Sequence, residues 1–257
     1  MPGATPNPFD NSFFYGFAPV DSLTPLGEKE CVQTLVAAFK YLTLWHFFAS
    51  GQPAPEILGR AALYFPAVGL VLGLTLALTN YVCDPYLHSE ILSVALVALL
   101  LVATGGLHLE GLNETFAGFA SSPSWGIAAI ALVLLFKSAA AESMDERLTL
   151  SLLLTPVLAR WALVIFLYGD HTQFDGISSL IAEQITLTRL FAGTVATLAL
   201  ITYFLGRRGL WIALVVSLFA LMARRMLQRR ERVLTQANAG AVVELEEALS
   251  LILLATL

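Results

Sequence analysis

The residues best suited to chemistry lie in one stretch, Ala103-Thr-Gly-Gly-Leu-His-Leu-Glu-Gly-Leu-Asn-Glu-Thr-Phe-Ala-Gly118. It joins a glycine pair, His108 and two carboxylates, Glu110 and Glu114, to the end of an apolar run. Being four residues apart, the two glutamates share one face of any helix formed there. Carboxylates in an apolar chain are costly unless they serve a cavity, a cation or a water-exposed rim. Two further cations, Lys137 and Arg160, sit inside apolar runs, and Glu244 and Glu247 lie near the other end of the chain. These four admit two readings. Either they line a polar cavity that binds an anionic substrate, or they pair with one another between helices and hold no ligand.

Other signals are weaker. His46, His88, His108 and His171 have no helical pairing and no Cys-x-x-Cys-His companion, so haem or pigment ligation has little support beyond His108. Cys31 and Cys83 stand far apart without metal spacing, which argues against a disulfide framework or zinc site. The arginines at 224, 225, 229, 230 and 232 read first as a topology determinant at anionic lipid headgroups. No nucleic-acid partner is expected.

The elements that must position these residues are membrane helices. The chain has 257 residues, 57% of them hydrophobic and 13% charged, with a mean hydropathy of +0.76. A soluble domain carries nearly twice that charged fraction. The fold class expected is therefore all-α, a polytopic integral membrane helical bundle of about seven helices plus an N-terminal amphipathic helix. That helix is expected over Cys31 to Phe48, ended by Gly51 to Pro55. Spans are expected at Ala61–Cys83, Glu90–Thr104, Trp125–Ala141, Leu148–Tyr168, Leu187–Leu205, Gly209–Ala223 and Ala237–Leu257. Gly69 and Gly73 are spaced for close helix packing. Residues 169–186 read as a polar loop.

Two domains are expected: an extended tail over residues 1–30, and a transmembrane domain over 31–257. The tail has no secretory signal pattern, and Phe9, Phe13, Phe14, Tyr15 and Phe17 make it a candidate partner-binding segment. With the arginine cluster in the cytoplasm, residues 105–123, 169–186 and the N-terminus fall on the same side. The Gly105–Gly118 stretch and the segment after Arg232 then share a face and can form one site. The lipid bilayer is the first partner. Other membrane subunits, reached through the tail and the helix faces, are the second.

From about residue 31 to 257 the chain resembles the cobalamin-5′-phosphate synthase (adenosylcobinamide-GDP ribazoletransferase) family. The resemblance rests on Ala38-Phe39-x-Tyr-Leu-Thr43, Gly59-Arg-Ala…Tyr64-Phe-Pro-x-Val-Gly-Leu-x-Leu-Gly73 and Thr104-Gly-Gly-Leu-His-Leu-Glu-Gly-Leu-x-Glu-Thr115. Lys137, Arg160 and Leu234-Thr…Gly240-Ala-x-x-Glu-Leu-x-Glu247 complete it. Membership implies a multi-pass enzyme of the bacterial inner membrane. That enzyme transfers adenosylcobinamide phosphate from its GDP carrier to α-ribazole or its phosphate, with Mg²⁺, releasing GMP. The resemblance implies catalytic roles for His108, Glu110 and Glu114, with Mg²⁺ on the two glutamates. It implies substrate contacts for Lys137, Arg160, Glu244 and Glu247.

The acidic pattern departs from the family where the metal would be held. The family's Asp-Gly-Leu-Ala-Asp-Thr-x-Asp-Gly reads Glu110-Gly-Leu-Asn-Glu114-Thr-Phe-Ala117-Gly118 here. A following Lys-Asp-Ser-Arg type loop is absent, and the family's Thr-Gly-Asp-Thr reads Thr235-Gln-Ala237-Asn. Mg²⁺ demands near-ideal octahedral geometry at ~2.0–2.1 Å, so an added methylene on each ligand matters. The expectation is a divergent member whose phosphotransfer is lost, kept as a structural or accessory subunit of a membrane complex, with no cofactor. The alternative is an active synthase using Glu110, Glu114, His108 and Mg²⁺. A third reading puts pigment or lipid in the former substrate cavity.

Overall fold

The run LTLSLLLTPVLARWALVIFL is almost wholly apolar, with Arg160 its one charge, and a helix of that kind must be surrounded by protein or lipid. In the computed structural model, which describes residues 28–43, 57 and 60–257, it is surrounded by protein. Ten α-helices follow one another among these residues. They are α1 (Glu28–Leu42), α2 (Phe65–Cys83), α3 (Ser89–Thr104), α4 (Leu107–Ala120) and α5 (Pro123–Glu142). Then come α6 (Leu148–Leu167), α7 (Gly176–Gln184), α8 (Leu187–Leu205), α9 (Arg207–Arg230) and α10 (Gln236–Thr256). The apolar run is α6, and 83% of its central window is buried. Helices α2, α8, α9 and α10 all pack on it.

The architecture is the all-α membrane bundle expected from composition, and the protein is a multi-pass membrane protein. Five helices are long and apolar enough to cross a bilayer, with α3 and α4 together making a sixth candidate bent by 92°. Two expected spans differ from this. The 16 residues of α3 are short for a span, and the chain turns sharply after them. The turn is made by Gly105 and Gly106 at φ 67° and 69°, a left-handed conformation that favours glycine. Helix α10 has the length of a span, but it carries three glutamates and lies deep among α4, α5 and α6. Its place is inside the bundle.

Three other boundaries moved. Helix α9 runs on to Arg230, so most of the arginine cluster forms the last turns of a helix rather than a loop. Arginine is a good helix former, and nothing in 224–230 breaks the helix. The polar segment 169–186 contains a 3-10 turn and α7, started where the Asp175 carboxylate accepts from the Gly176 N–H at 2.6 Å. The amphipathic helix α1 is described over 28–42 with Thr34, Ala37, Ala38 and Leu42 buried, a spacing that marks one face. The tail over 1–27, His46 and the Gly51–Pro55 break lie outside the described residues.

The expected glycine packing is present. A Cβ on Gly69 would strike the Pro156 carbonyl, and one on Gly73 the Leu153 carbonyl, so α2 lies backbone-to-backbone on α6.

Candidate functional site

The Gly105–Gly118 stretch forms α4, and its apolar residues decide how it lies. Leu109 and Leu112 point into a cluster with Ala129 and Val133 of α5 and Ala241 and Ala248 of α10. That leaves Glu110 and Glu114 on the opposite, exposed face. They share one face as their spacing requires, and it is exposed among the described residues. His108 points the other way and is buried.

The start of α10 completes this corner. Thr235 caps the helix by accepting from the Asn238 N–H at 3.4 Å, and the Asn238 side chain accepts from the Thr235 N–H at 2.7 Å. Asn238 Nδ2 then donates to Thr115 Oγ1 of α4 at 3.3 Å. A Cβ on Gly111 would meet the backbone of Ala237, and one on Gly240 would lie 3.2 Å from His108 Cα. The motif and the segment after Arg232 therefore meet at one site. Ala237 lies beside the helix that carries Glu110 and Glu114.

Behind that corner lie the membrane charges. Lys137 Nζ donates at 2.5 Å to both Glu244 Oε2 and Glu247 Oε2. Arg160 Nη1 donates to the other Glu247 oxygen. All four side chains are buried, and their formal charges cancel. Glu244 and Glu247, three residues apart on α10, face α5 and α6 together, which is how the helical period brings them to the two cations. Arg160 is wholly buried, yet its Nε and Nη2 find no partner among the described residues, and neither does His108 Nε2. His108 lies close enough to feel the charges of Arg160, Glu247 and Lys137.

A small cavity opens beside His108, lined also by Tyr41, Leu107, Leu163, Gln236 and Gly240. Among the described residues no group of three or more His, Cys, Asp or Glu side chains converges as a metal site.

Two functional-looking residues escaped the sequence. Glu246 is fully buried, with neither oxygen partnered among the described residues. Its position between Glu244 and Glu247 in sequence was visible; the helical rotation that turns it away from Lys137 and Arg160 is the signal that separates it. Arg224 is a strut and not part of a free basic patch. It donates to the Phe166 carbonyl at 3.2 Å, to the Tyr168 carbonyl and to Gln173 Oε1 at 3.3 Å, and it covers the Phe174 ring at 5.1 Å. The signal was its register with the buried Ala220, Ala223 and Leu227 on α9.

The comparisons with known proteins identify the family. The cobalamin-5-phosphate synthase family model matches residues 34–255. A Pseudomonas fluorescens adenosylcobinamide-GDP ribazoletransferase is 31% identical over 233 residues, covering 82% of this chain and 93% of its own. The Geotalea daltonii protein of that name is 31% identical over 238 residues, covering 84% and 94%. The one from Pseudomonas paraeruginosa is 34% identical over 251 residues, covering 88% and 99%. No solved structure matches the chain. A match across nearly all of the described helices, including α4, α5, α6 and α10 that build the site, leaves one conclusion: this chain belongs to the cobalamin-5-phosphate synthase family.

Proposed function

We propose that this protein keeps the membrane scaffold of cobalamin synthesis without its phosphotransfer, and serves as an accessory subunit of a membrane complex. The observation that carries this reading is the donor set around α4. Glu110 and Glu114 are exposed there, each one methylene longer than the family's aspartate, while Ala117 and Ala237 offer no oxygen where two more acids would stand. Such a set fits an octahedral Mg²⁺ shell poorly. Lys137 and Arg160, the buried cations available to meet a pyrophosphate, are already engaged by Glu244 and Glu247. The aromatic tail supplies the contact to other subunits, with the N-terminus on the cytoplasmic side.

One observation favours the active alternative. Glu110 and Glu114 sit side by side on an accessible face, and Mg²⁺ is often held by one or two carboxylates with substrate phosphates completing its shell. In that case the two glutamates would hold the metal, which would neutralise the pyrophosphate as it is cleaved. His108, Arg160 and Lys137 would orient the substrate from behind.

The purified full chain, given adenosylcobinamide-GDP, α-ribazole phosphate and Mg²⁺, separates the two. The accessory reading expects no GMP release and no rescue of a strain lacking the transferase. It also expects co-purifying subunits that are released when residues 1–27 are removed. GMP release abolished by Glu114→Ala would establish the active enzyme.

A further inference from the structure

On the side of α4 away from the charge network, a groove runs between α4, α9 and α10. Phe119, Phe219, Met222, Met226 and Leu245 line it, and it is open on the outer side. Thr115 is the single polar side chain on its wall, and its hydroxyl already accepts from Asn238. Along α9 the lining follows one stripe: Phe219, Met222, Ala223, Met226, Leu227. The next position on that stripe is Arg230. From Phe219 to Leu227 the stripe rises about 12 Å at ~1.5 Å per residue. Arg230 is held at the mouth. Its guanidinium covers the Phe119 ring at 4.9 Å and donates to the Phe119 carbonyl at 3.3 Å. Its remaining donors, and those of the exposed Arg225, Arg229 and Arg232, meet no carboxylate among the described residues.

We propose that this groove is a binding site for one anionic phospholipid, with an acyl chain between α4, α9 and α10 and its phosphate on Arg229 and Arg230. The charge pattern chooses the occupant. An apolar trough that ends in uncompensated arginines matches a molecule with an apolar tail and an anionic head. Met222 and Met226 are flexible and polarisable, suited to an irregular chain. This site is independent of whether the protein transfers phosphate.

Native mass spectrometry of the full chain tests it, with phosphatidylglycerol and phosphatidylcholine offered at equal concentration. One tightly retained phosphatidylglycerol is expected. Arg229→Gln/Arg230→Gln should cut its preference over phosphatidylcholine, by about fivefold for each arginine removed. Met222→Trp, which fills the groove from its exposed edge, should lower retention of both lipids. All three positions are exposed, and unchanged helical circular dichroism and melting serve as the folding control. Equal retention of the two lipids by the unaltered protein would overturn the proposal, as would retention indifferent to both variants. Lipid binding that appears only after residues 1–27 are deleted would give the groove to the tail. A dimer broken by Met222→Trp, with no lipid bound, would give it to a second copy. Either result would overturn the proposal too.

Discussion

Gly111 of α4 lies against the backbone of Ala237 at the start of α10, with no space between them for a side-chain carbon. This contact fixes the exposed carboxylate helix on the helix that carries the buried glutamates. Gly111→Val should force the two apart and destabilise the fold by about 1–3 kcal/mol, the usual cost of overpacking. Gly118→Ala on the same helix meets nothing within 4 Å and should be neutral or slightly stabilising. Thermal unfolding in detergent distinguishes the two, and equal effects would mean that the Gly111 contact is not tight.

Glu247 serves two cations and Glu244 one. Removing Glu247 as Glu247→Gln strands Arg160 in the interior and should cost about 3–5 kcal/mol, the scale for breaking a buried ion pair. Glu244→Gln leaves Lys137 still held by Glu247 and should cost clearly less. Folded yield and melting temperature of the two variants give the order, and a reversed order would refute the assigned pairing.

Glu246 is as buried as Glu247 but has no partner for either oxygen. A carboxylate so placed works against the fold. Glu246→Leu is therefore expected to leave the melting temperature unchanged or raise it, in contrast to its neighbour. A large fall would reveal a partner for this side chain.

Arg224 ties α9 to the end of α6 through the Phe166 and Tyr168 carbonyls. Lysine cannot reproduce a fork of fixed geometry. Arg224→Lys should loosen residues 168–175 and speed limited proteolysis there, while Arg225→Lys, an exposed neighbour, should not. Equal cleavage rates would dismiss the strut.

Asp170 adds a pH dependence at the same place. Its carboxylate accepts from the Thr172 hydroxyl at 2.6 Å and from the Thr172 N–H at 3.0 Å, which holds its pKa below the usual 3.8. With the folded value depressed, the contribution is complete above about pH 4 and is lost as the pH falls through the folded pKa. Asp170→Asn should remove this acid sensitivity from the 169–175 turn, read by amide exchange between pH 3 and 6. An unchanged profile would exclude Asp170 as its source.

Much of this was legible in the residues. The apolar run over Leu148–Tyr168 marked a span, Gly69 and Gly73 marked a close helix approach, and Glu244 and Glu247 stood as partners for two cations in apolar runs. The span expected to end at Thr104 does end there, but the sharp turn at Gly105 and Gly106 was not foreseen, because its angle depends on Leu109 and Leu112 meeting α5 and α10. Glu246 and Arg224 were hidden for a related reason. A glutamate among glutamates and an arginine among arginines differ only in the direction they face, which tertiary packing sets. The carboxylates of Glu110 and Glu114 were found easily; their exposure was not, because period alone says that two residues share a face without saying which way it points.

The separation in sequence between the buried cations and their partners bears on how the protein is made. Lys137 precedes Glu244 by 107 residues, and Arg160 precedes Glu247 by 87. Both positive charges must therefore enter the bilayer, or wait beside it, long before the ribosome has reached the residues that neutralise them. A nascent chain stopped before α10 would hold two cations whose partners, Glu244 and Glu247, had not yet been made.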